Sequence, residues 1–401
     1  MIERDEIIRI AARGDGVTSS GRHVADSAPG DWLDADGVLH FGPHHNQPPC
    51  QHYGRCGGCQ LQHVDDASLA SFYESRISNA LAAQGVTAGD VRPAYLSPPA
   101  SRRRATLKTQ RFGGKLVLGY SEAGSHKLVD LRACDILRPE LFALLAPLRT
   151  MLAKLLGPRD AATVHLALAD QGADVQVSGV SALGLDAHEA IMAFCEGHSV
   201  ARFAVDGGEG PEDRWAPEPA TLTLGGVAVP LPHAGFLQAT VDGERQLVAL
   251  VEEAVGNAGH VADLFCGIGT FALSLSLNGK VHAAEAGRDA LLALTLAANK
   301  AQRPVTVEHR DLYRRPLTAG ELGQFDAVVL DPPRAGAQEQ VRELAQSIVP
   351  TIAYVSCNPA SFARDAAILV AGGYSLDWVQ PVGQFRWSTH VELAAKLSRN
   401  F

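Results

Sequence analysis

The chain has 401 residues, 46 % of them hydrophobic, a mean hydropathy of zero and a formal charge of −9 at pH 7. That length calls for two or three domains rather than one. No apolar run approaches the roughly 20 residues that span a bilayer, and the charged N-terminus is not a signal peptide, so a cytoplasmic protein with no membrane partner is expected.

Charge is spread unevenly. Residues 156–235 carry eleven acids against three bases, whereas residues 91–120 carry seven bases and no acid: Arg92, Arg102, Arg103, Arg104, Lys108, Arg111 and Lys115. Such a stripe suits phosphates whatever the global charge, and reads equally well as a solvated basic face.

Residues 1–45 read as short strands around a Gly14-Asp15-Gly16 turn, a small β module. The segment 46–64 is a loop rich in Gly, Pro and Cys. Helical spacing follows over 65–90, with Leu69, Phe72, Tyr73, Ile77 and Leu81 on one face. Residues 91–225 mix strands (116–120, 164–168, 175–177) with an apolar helix over 141–156 and a loop at 207–211. From 226 to 401 the rhythm is strand–helix–strand. Apolar runs at 261–265, 280–284, 327–330 and 352–356 predict a parallel sheet covered on both faces. Segments 376–382 and 390–397 would add a terminal antiparallel pair.

Asp263-Leu264-Phe265-Cys266-Gly267-Ile268-Gly269-Thr270 ends a strand with two glycines, so the backbone can pass close under a ligand at a helix start. Glu285 ends the next strand, where a carboxylate binds ribose hydroxyls. These features fit NAD as well as S-adenosylmethionine, and a tight turn needs no ligand at all. Asp331-Pro332-Pro333-Arg334 discriminates better. It sits where nucleic-acid methyltransferases hold a target base, but lacks both the aromatic of an adenine enzyme and the neighbouring cysteine of a cytosine enzyme.

A thiol stands one strand later, in Ser356-Cys357-Asn358-Pro359. Carbon 5 of uracil is a poor nucleophile until a thiolate adds to carbon 6. After methyl transfer a base must remove the carbon-5 proton, and Glu392, in His390-Val391-Glu392, is the candidate. In isolation Cys357 reads as a core thiol and Glu392 as a surface acid; only their joint occurrence with the other motifs suggests chemistry.

Seven cysteines in a cytosolic chain are not read as disulfides. Cys50, Cys56 and Cys59 cluster, and with a remote fourth ligand, for which Cys134 is the natural choice, they suit an iron–sulfur cluster; zinc stays open. Cys195 and Cys266 read as core thiols. His44, His45, His52 and His63 read as solvated.

Together these residues resemble the bacterial RNA uracil-5-methyltransferases, specifically the iron–sulfur ribosomal RNA branch, over nearly the whole length. The motifs that carry the likeness are Cys50/Cys56/Cys59/Cys134, Phe236-Leu237-Gln238, 263–270, 331–334, 356–359 and 390–392. The resemblance implies an α/β fold: a Rossmann-like class I methyltransferase domain at 226–401, a mixed α+β central RNA-binding domain at 91–225, and a shortened TRAM/OB-like module at 1–45. It implies Cys357 as nucleophile and Glu392 as base. Gln238, Asp263, Phe265, Gly267, Gly269, Glu285 and Asp331 would hold S-adenosylmethionine, and Phe236, Arg103, Arg104 and Arg334 would face RNA. The four cysteines would hold a [4Fe–4S] cluster in the loop 46–64, and the helix of 65–90 would pack on the catalytic domain. The implied substrate is 23S ribosomal RNA, acted on by a monomer with no obligate protein partner. Three departures stand out: the short first module, Gly383-Gln384-Phe385-Arg386-Trp387 where the family carries Asp and Phe-Pro, and Ala239-Thr240 where it carries Val-Asn. The alternatives are a transfer-RNA uracil methylase, a non-catalytic cluster-bearing assembly factor and, more remotely, an NAD oxidoreductase.

Overall fold

In the computed structural model, which describes residues 4–180 and 184–399, the strands fall into four sheets. The first is small. Asp5–Ile10 lies at its centre, paired with Gly16–Thr18 on one side and Trp32–Leu33 on the other. Ile7 and Val17 are buried, which is enough to fix one inward face.

The second sheet has seven strands and alternates cleanly in its first strand, Arg104–Phe112. Leu107, Val164, Val175, Val177 and Phe203 point to one face, against the helices Leu145–Leu155 and Leu185–Gly197. Arg104, Thr106 and Lys108 take the other face, the usual one-sided burial of a largely antiparallel sheet. Residues 141–156 do not form one helix: Pro139–Ala143 and Leu145–Leu155 are separate. Pro147 has no N–H to offer the Ala143 carbonyl, so the ladder breaks there. The expected loop 207–211 is only the tip of a hairpin, since Pro211–Trp215 pairs back on Val200–Asp206.

The catalytic sheet is built from five parallel strands. His260–Leu264 is central, followed outward on one side by Lys280–Glu285 and Val305–His309, and on the other by Ala327–Leu330 and Thr351–Ser356. Glu392–Ser398 and Ser375–Gly383 then extend it as an antiparallel pair. The strand order reverses between His260–Leu264 and Ala327–Leu330, the position where open α/β sheets leave a crevice beyond their carboxyl ends. Val305–His309 had no apolar signal because, as an edge strand, it is only partly buried.

The helix Asp66–Ala83 is started by Asp65, whose side chain accepts from the Ser68 N–H. Ile77 and Leu81 bury against the catalytic sheet, and Leu69, Phe72 and Tyr73 pack with Trp387 and Val391. Among the described residues no helix is long and apolar enough to cross a membrane.

Candidate active site

The crevice beyond the catalytic strands is a cavity of about 450 Å³, lined among others by Phe236, Gln238, Phe265, Gly267, Glu285, Asp331, Arg334, Cys357 and Glu392. Register explains the gathering. Ser356 pairs with Leu393 in an antiparallel ladder, so one step further Cys357 stands opposite Glu392. Asp331 follows the neighbouring parallel strand, and Glu285 ends a strand two further across. At about 4.8 Å per strand, Glu285 to Glu392 is a row of roughly 20 Å along one sheet edge.

At the Cys357 end, Asn358 caps the helix Pro359–Ala371 by accepting from the Ala360 N–H at 3.2 Å, with Pro359 in the first turn. Cys357 is thereby held between a strand end and a helix start. Asn358 Nδ2 and Ser361 Oγ donate to the Arg334 carbonyl at 3.0 and 3.1 Å, locking the Asp-Pro-Pro-Arg turn beside the thiol. Burial raises the Cys357 pKa, the Glu392 and Asp331 carboxylates add to that, and the Arg334 guanidinium opposes it.

Glu392 is buried, and burial, with Asp331 next, pushes its pKa up to about 8. Its partner is Gln384, whose Nε2 donates to Glu392 Oε2 and also to Gln238 Oε1 at 2.7 Å. Gln384 Oε1 accepts from the Ala239 and Thr240 N–H groups at 2.7 and 3.3 Å. One buried amide thus ties Glu392, a cavity glutamine and the chain at Ala239–Thr240 together. Sequence reasoning did not select Gln384. The signal was its place in the segment that departs from the family pattern just before His-Val-Glu.

At the other end, Glu285 accepts from the Gly267 N–H at 3.1 Å and the Gly287 N–H at 2.7 Å. Gly267 has φ +54° and a Cβ there would meet no protein atom within 4 Å, so its missing side chain leaves the cavity floor open. Gly269 (φ +94°) does not line the cavity; a Cβ would strike Leu294 Cδ1 at 2.4 Å, so this glycine serves packing. Phe265 holds φ +63°, an uncommon conformation that clusters at functional sites, and its ring lies 5.5 Å from that of Tyr313. Tyr313 and Asp311 also line the cavity and were not foreseen; both follow the weakly signalled strand Val305–His309.

Asp263 is fully buried and does not line the cavity; neither carboxylate oxygen has a hydrogen-bond partner among the described residues. Burial, then Asp331, raises its pKa well above the ordinary range. Burial and Glu285 push Asp331 up to about 7. The sheet edge is therefore a row of acids short of a cation. A sulfonium carrying an ammonium group fits that deficit, and the cavity volume fits a small-molecule ligand.

The basic stripe is only partly offered to solvent. Arg103 is buried, ion-paired with Glu244 and donating to the Gln238 carbonyl at 3.1 Å. The expectation that it faces RNA is corrected: it braces the Phe236–Gln238 segment from behind. Arg111 donates to the Ala153 and Leu156 carbonyls, and Arg92 pairs with Glu253. Arg104 lies 4.9 Å from the Phe236 ring, which is 63 % exposed at the cavity mouth.

Cys50, Cys56, Cys59 and Cys134 line a second cavity of about 300 Å³ with Tyr53, Tyr120, Phe385 and His390. Burial raises all four thiol pKa values and the thiols raise one another's, with Cys59 pushed up to about 12. Among the described residues no three Cys, His, Asp or Glu side chains converge on a single-ion position. His45 and His63 are not solvated. His45 bonds Asp31 at 2.7 Å, and His63 bonds Tyr53, because both fill the buried seam under the first module.

The tRNA (Uracil-5-)-methyltransferase family profile matches residues 232–400. The chain is 50 % identical over 396 residues, 98 % of itself and 99 % of the relative, to an uncharacterized RNA methyltransferase of Zymomonas mobilis. It is 34 % identical over 373 residues, 89 % of itself and 77 % of the relative, to the 23S rRNA (uracil(1939)-C(5))-methyltransferase of Chromohalobacter salexigens. In fold it resembles the Pyrococcus abyssi tRNA (uracil-54, C5)-methyltransferase solved with S-adenosyl-L-homocysteine, with a TM-score of 0.76 at 22 % identity over 98 % of this chain and 99 % of that one.

Proposed function

This chain belongs to the RNA (uracil-5-)-methyltransferase family, whose members are S-adenosylmethionine-dependent, and on that premise we propose that it methylates carbon 5 of one uridine in 23S ribosomal RNA through a covalent adduct on Cys357. The observation that carries the mechanism is the register that sets Cys357 opposite Glu392 at one end of the acid row. The ribosomal substrate is supported by the similarity to the Chromohalobacter enzyme together with the four-cysteine pocket.

S-adenosylmethionine supplies an electrophilic methyl group when bound, and Glu285, Gly267, Phe265, Asp331 and Gln238 are the residues that would hold it. Cys357 must first give its proton to solvent, against the burial and the Glu392 and Asp331 carboxylates that raise its pKa, with the Arg334 guanidinium opposing them. The thiolate bonds to carbon 6 of the uracil and the ring's double-bond electrons move onto the carbonyl oxygen as an enolate. Carbon 5 would then take the methyl group from the bound sulfonium, whose carbon–sulfur electrons stay on sulfur as a neutral thioether, while the enolate oxygen returns to a carbonyl. Glu392 removes the carbon-5 proton, those electrons restore the ring double bond, and the Cys357 thiolate leaves. The target must be unstacked, since carbon 6 is unreachable inside a helix, and Phe236 at the mouth offers a ring for it to lie against. The four cysteines line one pocket and would be the ligands of a [4Fe–4S] cluster, their thiols deprotonating as they bind it.

The test is transfer of labelled methyl to unmodified 23S ribosomal RNA and, in parallel, to unmodified transfer RNA, by wild type and Cys357→Ala. The expected result is 5-methyluridine in ribosomal RNA, lost in the variant by at least about four orders of magnitude. Label only on transfer RNA would overturn the substrate, and undiminished transfer by Cys357→Ala would overturn the covalent step.

A further inference from the structure

Gln384 stands two residues beyond Val382, the register partner of Glu392, and is buried. A glutamine amide has one end that accepts and one that donates, and its surroundings decide which end goes where. Here they leave no choice. The Ala239 and Thr240 N–H groups can only donate, and both reach the same oxygen, at 2.7 and 3.3 Å. Turned over, the amide would set its own N–H groups against those two. Nε2 therefore points at Glu392 and Gln238. The side chain is also walled in. A Cβ on Gly243, in the first turn of the helix Val241–Val255, would meet Gln384 Cβ at 2.8 Å and Oε1 at 3.2 Å, so this glycine leaves the room that the amide takes.

The polarity passes one amide further. Gln238 Oε1 accepts from Gln384 Nε2 at 2.7 Å, so the donating end of the Gln238 amide is the one left for a ligand, and it bonds no protein atom among the described residues. Gln238 lines the catalytic cavity, and its carbonyl is held by Arg103 Nε at 3.1 Å. Because Gln238 and Glu392 accept from one and the same nitrogen, they stand side by side. In the proposed reaction Cys357 takes carbon 6 and Glu392 works at carbon 5. The next ring atom in that direction is carbon 4, and its oxygen is what a donor beside Glu392 would reach. Oxygen 4 is also where charge develops. As the thiolate bonds to carbon 6, the carbon 5–carbon 6 pair becomes a carbon 4–carbon 5 double bond and the carbonyl pair moves onto oxygen 4, with no proton moved. A fixed N–H there binds the growing enolate more tightly than the starting carbonyl. Cytosine carries an amino group at that place, which would meet Gln238 donor to donor.

We propose that Gln384 is a positioning residue: it fixes which end of the Gln238 amide faces the ring, and so makes Gln238 a donor to oxygen 4 that selects uracil over cytosine and stabilises the enolate. The inference rests on the covalent reading of the reaction given above. Nε2 of Gln238 carries two N–H groups, so serving the base leaves one for the bound cofactor.

The test uses the full chain and an RNA fragment holding the uridine that takes label in the methyl-transfer experiment, made with uridine, cytidine or 5-fluorouridine at that place. Competition binding compares the first two. Wild type should prefer uridine about tenfold. Gln384→Met has no N–H to give, frees the Gln238 amide to turn, and should narrow that preference to about twofold. The 5-fluorouridine form has no carbon-5 proton, so the adduct on Cys357 accumulates without any work by Glu392, and its rate of formation reports on the enolate step alone. That rate should fall about tenfold or more in the variant. Gln384→Glu is the second variant. It keeps an acceptor for the Ala239 and Thr240 N–H groups, and so the packing, but faces Gln238 with an oxygen and should move the preference towards cytidine. Gln238→Met should lose as much as Gln384→Met in both measurements, and the two together should change the preference no further. If either the preference or the adduct rate keeps its wild-type value in both Gln384 variants, the proposal falls while the covalent reading stands. A wild type that forms no adduct with the 5-fluorouridine RNA overturns the covalent reading, and this one with it.

Discussion

The catalytic cavity and the cysteine pocket share one wall, the segment 384–392, yet they are assembled in opposite ways. Gln384 and Glu392, the ends of that segment, serve the cavity, while Phe385, Ser388, Thr389 and His390 between them line the cysteine pocket. The cavity draws on consecutive strand ends of a single sheet, so register alone brings Glu285, Asp331, Cys357 and Glu392 into line. The pocket draws on stretches far apart in sequence, near 50–62, 120–136 and 385–390 with Arg102 besides, none of the three held to another by a strand ladder longer than a single bridge. The Gln60 and Leu61 N–H groups donate to the Trp387 carbonyl at 2.8 and 2.9 Å, and the Tyr73 hydroxyl to the Ser388 carbonyl at 3.0 Å. A site built on a sheet is stable whether or not it is filled. A site built from loops around four half-buried thiols is expected to depend more on whatever fills it.

The largest expected effect follows from that contrast. Cys59→Ser, in the pocket, should abolish bound iron and lower Tm by about 10 °C or more, because metal binding to such a site is folding energy. S-adenosylmethionine affinity should change by no more than about twofold, since the row from Glu285 to Asp331 does not touch the pocket. Iron analysis, thermal melts and calorimetric titration read the three quantities separately. Unchanged iron content would break the cluster reading, and lost cofactor affinity would show that the two regions are not independent.

Gln384→Leu probes the shared wall from the catalytic side. The Gln384 hydrogen bond is one of the influences that lower the Glu392 pKa, against burial and Asp331. Removing it raises that pKa further above about 8. On the proposed mechanism Glu392 must be ionised to take the carbon-5 proton, so the rising limb of kcat against pH should move to higher pH, with about a tenfold loss per unit below it. The Ala239 and Thr240 N–H groups would also lose their acceptor, at about 1–3 kcal/mol each. A loss of kcat with no displacement of the limb would mean that Gln384 is only structural.

How much of this was legible in sequence divides along the same line. The parallel sheet, its closing antiparallel pair and the residues at its edge were readable because buried parallel strands are near-continuous apolar runs and the motifs follow them directly. Asp263 and Gly269 were misread in detail: motif position does not distinguish a residue that lines a cavity from one that packs behind it. Arg103 was misread because a run of like charges gives no sign of Glu244, which lies about 140 residues away and supplies the buried partner. Gln384 was invisible for the opposite reason, a neutral residue whose importance lies wholly in its four partners. The four cysteines were legible as a group, but their common pocket depends on loop paths that no periodicity encodes.

The smallest expected effect concerns stability, and it separates the base's chemistry from its burial. Glu392 has a folded-state pKa of about 8 against a model-peptide value of 4.5. Below the lower value both states hold the proton and the residue costs nothing. Between the two the unfolded chain ionises while the folded one resists, so wild type loses stability as pH rises from about 4.5 to about 8. Glu392→Gln keeps the shape, lets its amide oxygen accept from Gln384 Nε2, and cannot ionise. It should abolish turnover yet melt several degrees above wild type at pH 8 and close to it at pH 5, a gain on the order of a few kcal/mol at the higher pH. Saturating S-adenosylmethionine should narrow the gap, because a cation beside the acid row stabilises the ionised carboxylate that only wild type possesses. A gap that is the same at pH 5 and pH 8 would mean that Glu392 is ionised and compensated in the free enzyme, and that the acid row is not waiting for a cation.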